Sequence, residues 1–225
     1  MNPTRVKICG VCRPQDAIAA AEAGADAIGL ILHGPSKRIL TAKQANQILA
    51  VVPPYVTTVG LFVNANPKKL ASILRQTPVQ LIQLQGHETP EFVAALKPVP
   101  VVKAIHVDHS IIKTLKMWKK AIAKLKLTNL KGILLETASG IPGGSGIPND
   151  WNAIRRLQRS GALKGLPPLI AAGGLTPKTV GKVVRLLRPY AVDVASGVES
   201  DKRKKSPEKI QKFIRAVRIA DATEP

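Results

Sequence analysis

The sequence is poor in aromatic residues, in cysteine and in long apolar runs. Phe, Trp and Tyr make up 3% of the 225 residues, so the core has to be aliphatic, and the 45% apolar content allows this. The two cysteines lie three positions apart and cannot form a disulfide framework, which favours a reducing, cytoplasmic compartment. No apolar run approaches the roughly 18 residues of a membrane span, and the first residues lack the apolar region of a signal peptide. We therefore expect a cytoplasmic protein without a membrane segment.

Acidic residues are also scarce. The 34 Lys and Arg residues face 14 Asp and Glu residues, which gives a formal net charge of +20 at pH 7. Such an excess favours anionic partners, such as nucleic acid, phosphorylated metabolites or an acidic surface. Lys113 to Lys131 includes seven lysines and no acidic residue, and residues 202–205 are all basic. We expect both stretches to be solvated, the first on an outer helix and the second at the start of the last helix, away from any chemistry.

Short β-branched runs alternate with segments of helical periodicity along the whole chain. The predicted strands are 5–9, 26–32, 56–63, 79–84, 101–106, 132–135, 168–172 and 191–195, and the predicted helices are 14–23, 41–51, 67–76, 89–96, 110–126, 150–159, 177–187 and 207–218. Eight such units predict a closed (β/α)8 barrel, a TIM barrel, rather than an open doubly wound sheet. No linker or change in composition divides the chain, so we expect one domain, residues 1–225.

Polar residues and glycines cluster where the predicted strands end, and in a barrel the loops after the strands build the active site. In chain order these strings are Lys7-Ile8-Cys9-Gly10, Ser36-Lys37-Arg38, Leu81-Ile82-Gln83-Leu84-Gln85-Gly86, Leu134-Leu135-Glu136-Thr137, Gly143-Gly144-Ser145-Gly146, Ala172-Gly173-Gly174 and Ala195-Ser196-Gly197. The ordered set resembles the phosphoribosylanthranilate isomerase family of tryptophan biosynthesis. The resemblance extends from the first predicted strand to the last helix.

The resemblance implies a barrel of the ribulose-phosphate-binding type and a specific reaction. N-(5-phosphoribosyl)anthranilate would be converted into 1-(2-carboxyphenylamino)-1-deoxyribulose 5-phosphate, an Amadori rearrangement that needs neither cofactor nor metal. The reaction requires an acid to open the furanose ring, a base for the C2 proton, a phosphate clamp and a cation for the anthranilate carboxylate. The implied partner is this phosphorylated small molecule, and the implied assembly is a monomer or homodimer.

By position in the family, Cys9 is the general base. A free thiol has a pKa of about 8.5, so nearby cations or backbone N–H groups would have to favour the thiolate. Without the ordered motifs, Cys9 would be interpreted as a buried structural cysteine. Cys12 completes a Cys-x-x-Cys pattern, but no second pair suggests a zinc site. One hypothesis is that oxidation joins Cys9 to Cys12 and silences the base.

Glu136 stands where the family has Asp, the general acid. The extra methylene moves the carboxyl group by about 1.5 Å if the backbone stays fixed, and a misplacement near 1 Å can cost on the order of 100-fold in rate. An acid role also requires a raised pKa, which an apolar barrel mouth would supply. The alternative is a carboxylate paired with a neighbouring Lys or Arg.

The remaining candidates are predicted to bind substrate. Arg38 matches the family's carboxylate-binding arginine, and its planar fork suits a carboxylate. Lys7 and Gln83 line the same end of the barrel, whereas Gln85 departs from the family's His. Glycine-rich loops let backbone N–H groups approach an anion, and the predicted phosphate clamp consists of Gly143, Gly144, Ser145, Gly173, Gly174, Ser196 and Gly197. Asp193 is expected to support the last strand, and the sequence leaves the role of His106 open.

Two alternatives stay open. The first is a related sugar-phosphate barrel that shares the clamp but performs different chemistry. Two observations oppose it. Histidine-pathway isomerases use aspartates on strands one and five, which are absent here. Ribulose-phosphate epimerases use metal-binding His and Asp residues, which are also missing. The second is a catalytically impaired barrel that binds an anionic partner, such as nucleic acid, through its basic surface.

Overall fold

Strands and helices alternate along the chain, as the sequence predicts. The structure, a computed structural model, describes residues 3–137, 150–201 and 203–223. Its strands are β1 Arg5–Cys9, β2 Ala27–His33, β3 Thr57–Phe62, β4 Leu81–Leu84, β5 Val101–Val107, β6 Leu130–Thr137, β7 Leu169–Ala172, β8 Ala191–Val194, β9 Glu199–Asp201 and β10 Lys204–Lys205. Its helices are α1 Pro14–Glu22, α2 Ala42–Leu49, α3 Pro67–Gln76, α4 Pro90–Ala95, α5 Ile111–Leu125, α6 Trp151–Arg159, α7 Val180–Leu187 and α8 Pro207–Ala222.

Within the described residues, the parallel strands β1 to β8 close into a barrel in chain order. The ring closes where β1 pairs with β8, and this register sets Lys7 opposite Asp193. The register between β5 and β6 sets His106 beside Glu136. The strand order confirms the predicted (β/α)8 barrel. Because all eight strands run in the same direction, their C-terminal ends and the candidate residues meet at one end of the barrel.

Local side-chain contacts explain where several helices begin. Thr41 caps α2 through a capping box, and Asn66 caps α3 ahead of a proline in its first turn, as the sequence predicts. Helix α7 begins at Val180, three residues later than predicted. There the Thr179 hydroxyl accepts a hydrogen bond from the Thr176 backbone N–H at 3.0 Å, which closes a turn instead of the first turn of a helix.

The core is mainly aliphatic, in agreement with the composition. Its larger part lies between the barrel and the surrounding helices, where Phe62 and Phe213 are fully buried. A smaller part fills the barrel interior and consists of Val102, Ala104, Leu134, Ile170, Ala172 and Ala191. Among the helices of the described ranges, none is both long enough and apolar enough to cross a membrane.

The two basic stretches lie in different environments. On α5, Lys113 and Lys116 are exposed, as predicted. The second stretch does not start the last helix as predicted: β9 and β10 pair as an antiparallel hairpin, and α8 begins only at Pro207. Lys204 is exposed as predicted, and Lys202 lies outside the described residues, but the prediction is wrong for Lys205. The Lys205 side chain is 0% exposed. The sequence could not indicate this burial, because the groups that receive the Lys205 ammonium come together only when the hairpin folds against the end of the barrel.

Candidate active site

A buried ion pair joins the first and last strands of the barrel. Lys7 Nζ lies 2.9 and 2.8 Å from the two carboxylate oxygens of Asp193, and both side chains are buried. Burial opposes the charge on Lys7, but Asp193 and Cys9 outweigh it, so the pKa of Lys7 is raised. Asp193 therefore does more than support β8, because it neutralises a lysine that the sequence predicts to contact substrate.

Cys9 follows Lys7 by two residues on β1, so the two side chains point to the same side of the sheet. A Cβ atom on Gly29 of the adjacent strand would lie 2.9 Å from Cys9 Sγ, so the glycine makes room for the thiol. Burial and the Asp193 carboxylate raise the pKa of Cys9, although Lys7 and Lys205 act in the opposite direction. The cations expected to favour the thiolate are present, but burial outweighs them in the protein alone.

Arg38 belongs to an ionic cluster with Glu199 and Lys205. Arg38 Nε and Nη2 donate to the two Glu199 carboxylate oxygens at 2.7 and 2.8 Å. Lys205 Nζ lies 3.1 Å from Glu199 Oε1 and 2.9 Å from the Ala195 carbonyl oxygen. Gly10 has φ +68°, and a Cβ there would lie 2.7 Å from Arg38 Cδ, so only glycine allows this approach. One edge of the guanidinium is thus bonded to a carboxylate, which uses two of its five N–H donors.

Glu136, near the end of β6, has amide rather than cationic neighbours. Gln85 Nε2 donates to Glu136 Oε1, and Gln83 Nε2 donates to Gln85 Oε1 at 2.6 Å. Over the described residues, no Lys or Arg lies within ion-pairing distance of Glu136, so the salt-bridge alternative does not apply there. Burial and Asp193 raise the pKa of Glu136 from its usual 4.5 to about 7, and the hydrogen bond from Gln85 opposes this rise. Such a carboxyl group can hold a proton near neutral pH.

His106, whose role the sequence leaves open, is a direct neighbour of Glu136. The His106 Nδ1 atom lies 3.4 Å from Glu136 Oε1. The two atoms are not aligned for a hydrogen bond, and this buried Nδ1 has no hydrogen-bond partner among the described residues. Burial and the nearby Lys103 lower the pKa of His106, so the imidazole is neutral at pH 7.

Lys103 and Glu88 form a second buried ion pair, which sequence reasoning missed. Lys103 Nζ lies 3.0 Å from Glu88 Oε2, and Glu88 also accepts hydrogen bonds from the backbone N–H groups of Asn64 and Gly86. Burial lowers the pKa of Lys103, while Glu88 opposes that shift. The sequence did contain a signal for this pair, since Lys103 lies in the otherwise apolar centre of a predicted strand. A lysine at such a position is buried only when it has a partner of opposite charge or a hydrogen-bond acceptor.

The loops after β7 and β8 approach each other closely. Gly173 and Gly174 both have positive φ, +101° and +65°, which favours glycine. Ser196 begins a short 3₁₀ turn, and a Cβ atom on Gly197 would lie 1.9 Å from the Leu175 carbonyl oxygen. A side chain at that position would therefore separate the two loops. The other predicted clamp residues lie outside the described residues, namely Gly143, Gly144 and Ser145.

The thiol of Cys12 is turned toward backbone oxygens. Its Sγ lies 3.6 Å from the Gly10 carbonyl oxygen and 3.7 Å from that of Arg38. Both Cys9 and Cys12 are free thiols. Burial raises the pKa of Cys12, which makes it a less reactive thiol at neutral pH. The oxidation hypothesis for the pair stays a prediction.

Comparison with known proteins agrees with this geometry. The family model for N-(5'-phosphoribosyl)anthranilate (PRA) isomerase matches residues 6–216. The N-(5'-phosphoribosyl)anthranilate isomerase of Pseudomonas fluorescens strain SBW25 is 43% identical over 219 residues, which cover 97% of either chain. The phosphoribosyl anthranilate isomerase structure from Thermotoga maritima has a TM-score of 0.82 at 32% identity, covering 96% of this chain and 98% of that one.

A further solved structure adds information about ligand binding in this group of proteins. It is a phosphoribosyl anthranilate isomerase in complex with reduced 1-(o-carboxyphenylamino)-1-deoxyribulose 5-phosphate. It has a TM-score of 0.77 at 31% identity and covers 96% of this chain and 98% of that chain. The family model and the full-length similarity show that this chain belongs to the N-(5'-phosphoribosyl)anthranilate isomerase family.

Proposed function

We propose that this chain converts N-(5-phosphoribosyl)anthranilate into 1-(2-carboxyphenylamino)-1-deoxyribulose 5-phosphate, with Glu136 as general acid and Cys9 as general base. The observation that carries this assignment is the environment of Glu136. It is a buried carboxyl group whose pKa is raised to about 7, and it has no cationic partner among the described residues. Such a group can hold and release a proton at neutral pH. Cys9 and Glu136 both lie close enough to Lys7 and Asp193 for each pKa to respond to them.

The acid step opens the sugar ring. Glu136 gives its proton to the furanose ring oxygen, the bond from C1 to that oxygen breaks, and the nitrogen lone pair forms a cationic Schiff base with C1. This cation lies next to the carbon that must lose its proton. Its charge favours the thiolate of Cys9, which burial disfavours in the substrate-free protein.

The base step completes the rearrangement. The Cys9 thiolate removes the proton from C2, and the electron pair moves to form the enolamine. The Cys9 thiol then gives this proton to C1, which regenerates the thiolate, and loss of the proton from the C2 hydroxyl gives the ketose. The hydroxyl proton can return to the Glu136 carboxylate, so no proton is gained or lost over the cycle, and no cofactor takes part in these steps.

The charged groups of the substrate would be held on the other side of the barrel mouth. We assign the phosphate to backbone N–H groups at Gly173, Gly174, Ser196 and Gly197, together with Gly143, Gly144 and Ser145. The positive φ angles and the close approach of the two described loops support this assignment. We assign the anthranilate carboxylate to the N–H groups of Arg38 that Glu199 does not occupy.

The test follows the loss of anthranilate fluorescence as substrate generated in situ is consumed. The wild-type chain is expected to turn over, and Cys9→Ala and Glu136→Ala are each expected to lose at least about 100-fold in kcat. Two matched controls keep near-wild-type rates: Cys12→Ala, at a second thiol, and Glu91→Ala, at an exposed carboxylate. An inactive wild type, or a Glu136→Ala variant that matches Glu91→Ala, would overturn the proposal.

A further inference from the structure

Two buried glutamines near the end of β4 form a chain of hydrogen bonds that ends at Glu136. Gln83 and Gln85 are separated by one residue at the end of β4, so both point to the barrel interior. Each is less than 5% exposed. The Gln83 amide donates to Gln85 Oε1 at 2.6 Å, and the Gln85 amide donates to Glu136 Oε1. Because Gln85 Oε1 is held as an acceptor, its NH₂ group is the end that points at Glu136.

The backbone on both sides of Gln85 is clamped by one side chain. Lys103 Nζ donates to the carbonyl oxygen of Leu84 at 3.2 Å and to that of Gly86 at 2.6 Å. The same ammonium is held by Glu88 at 3.0 Å. The backbone that carries Gln85 is therefore held on both sides by the Lys103 ammonium. Such support is what precise placement of a reacting group requires.

These contacts distinguish the two oxygens of the acid. Glu136 Oε1 accepts the amide hydrogen of Gln85, so the proton of the neutral acid belongs on Oε2. We propose that Gln85 is a positioning residue that presents this proton on Oε2 to the substrate, and that Gln83 orients Gln85. This inference rests on the proposed role of Glu136 as general acid.

Other ionisable groups around Glu136 act from three strands. Asp193 on β8 raises its pKa, Lys7 on β1 and Lys103 on β5 lower it, and His106 on β5 lies 3.4 Å from Oε1. All four would remain in place if Gln85 alone were changed. A change in the titration of Glu136 in a Gln85 variant would thus report on the amide contact.

The first experiment uses Gln85→Met, which keeps the length of the side chain but cannot donate. The pKa of Glu136 is measured in the substrate-free protein by NMR of carboxyl-labelled glutamate, with Glu136→Gln to identify its signal. Loss of a hydrogen bond to the ionised form is expected to raise this pKa by about one unit. We expect kcat to fall about 10-fold with KM nearly unchanged, because Gln85 acts through Glu136. The matched control is Gln80→Met. Gln80 directly precedes the same strand, and its side chain accepts a hydrogen bond from the Thr58 backbone N–H.

Two further variants separate positioning from substrate contact. Gln83→Met keeps Gln85 but removes the hydrogen bond that orients its amide. The pKa of Glu136 should therefore rise less than in Gln85→Met, and kcat should fall about threefold. If Gln83→Met instead raises KM and leaves the pKa of Glu136 unchanged, Gln83 contacts substrate and its positioning role is wrong. Glu136→Asp withdraws the carboxyl group by about 1.5 Å from the clamped Gln85 and is expected to lower kcat.

Failure of this inference differs from failure of the proposed function. An unchanged pKa of Glu136 and an unchanged kcat in Gln85→Met, with an active wild type, would refute the positioning role alone. An inactive wild type would refute the proposed function. In that case a raised pKa of Glu136 in Gln85→Met would still support the amide contact.

Discussion

Glu136 and the cations beside β1 and β8 have different kinds of partner at the barrel mouth. On the side of β1, β8 and the β9–β10 hairpin, the cations have carboxylate partners: Lys7 pairs with Asp193, and Arg38 and Lys205 share Glu199. On the side of β4 to β6, Lys103 pairs with Glu88, but Glu136 contacts an amide and a neutral imidazole. Ion pairing keeps buried groups charged, whereas burial without a cation keeps a carboxyl group protonated. We therefore expect the first side to hold charged substrate groups and the second to supply the proton.

The largest expected effect comes from breaking the paired side. Asp193→Asn leaves Lys7 buried without a carboxylate partner, and we expect a loss of about 3–5 kcal/mol in the free energy of unfolding, measured with urea. The double variant Lys7→Met with Asp193→Leu should recover much of this loss, because it removes both charges. As a control, Glu208→Gln breaks an exposed pair and should change stability by less than about 1 kcal/mol. If Asp193→Asn and Glu208→Gln lowered the free energy of unfolding equally, the comparison would be contradicted.

A smaller effect of opposite sign is expected at Glu136, which has no cationic partner among the described residues. Glu136 has a folded pKa of about 7 against its usual 4.5, so its ionisation penalises the folded state increasingly as the pH rises through that window. Glu136→Gln removes the penalty and is expected to stabilise the protein by about 3 kcal/mol at pH 8, with no gain below pH 4.5. Urea unfolding across this pH range measures the difference. Glu91→Gln, at an exposed site, is the control, and a pH-independent effect of Glu136→Gln would refute the assignment.

The smallest expected effect is on the pH profile of kcat/KM. The reaction needs Glu136 protonated and Cys9 ionised, although the acid has the lower pKa and the base the higher one. Below pH 7 the fraction of ionised Cys9 limits the reaction, so kcat/KM should fall about tenfold per pH unit. Above the raised pKa of Cys9 the fraction of protonated Glu136 limits it, so kcat/KM should fall again. Gln85→Met should move only the low-pH limb, and to higher pH. A profile that stays flat from pH 5 to pH 8 would contradict this division of roles.

Much of the fold could be predicted because its signals are local. Helix caps such as Thr41 and Asn66 act within three residues of the chain, and the apolar runs of the strands identify a buried parallel sheet. The candidates Cys9, Arg38 and Glu136 lie at or after the ends of predicted strands, which meet in a barrel, and the resemblance to a known family implied their roles. The boundary of α7 was missed because a threonine turn competes locally with the helix.

The partners of the site residues could not be predicted, since they are distant in sequence. Glu199 lies 161 residues from Arg38, and Gln85 lies 51 residues from Glu136. A basic run such as 202–205 is indistinguishable in sequence from a solvated one, yet Lys205 is buried. Its burial depends on the hairpin that brings it to Glu199.

Local patterns in the sequence are sufficient to predict the alternation of strands and helices, the aliphatic core and the set of polar residues at the strand ends. These follow from periodicity and composition, which are properties of neighbouring residues. The protonation of these polar groups, in contrast, depends on how the chain folds. Whether a carboxyl group is ionised depends on its burial and on the charges within a few ångströms. Barrel closure brings Lys7 into contact with Asp193, whereas the neighbour that it gives Glu136 is the side-chain amide of Gln85.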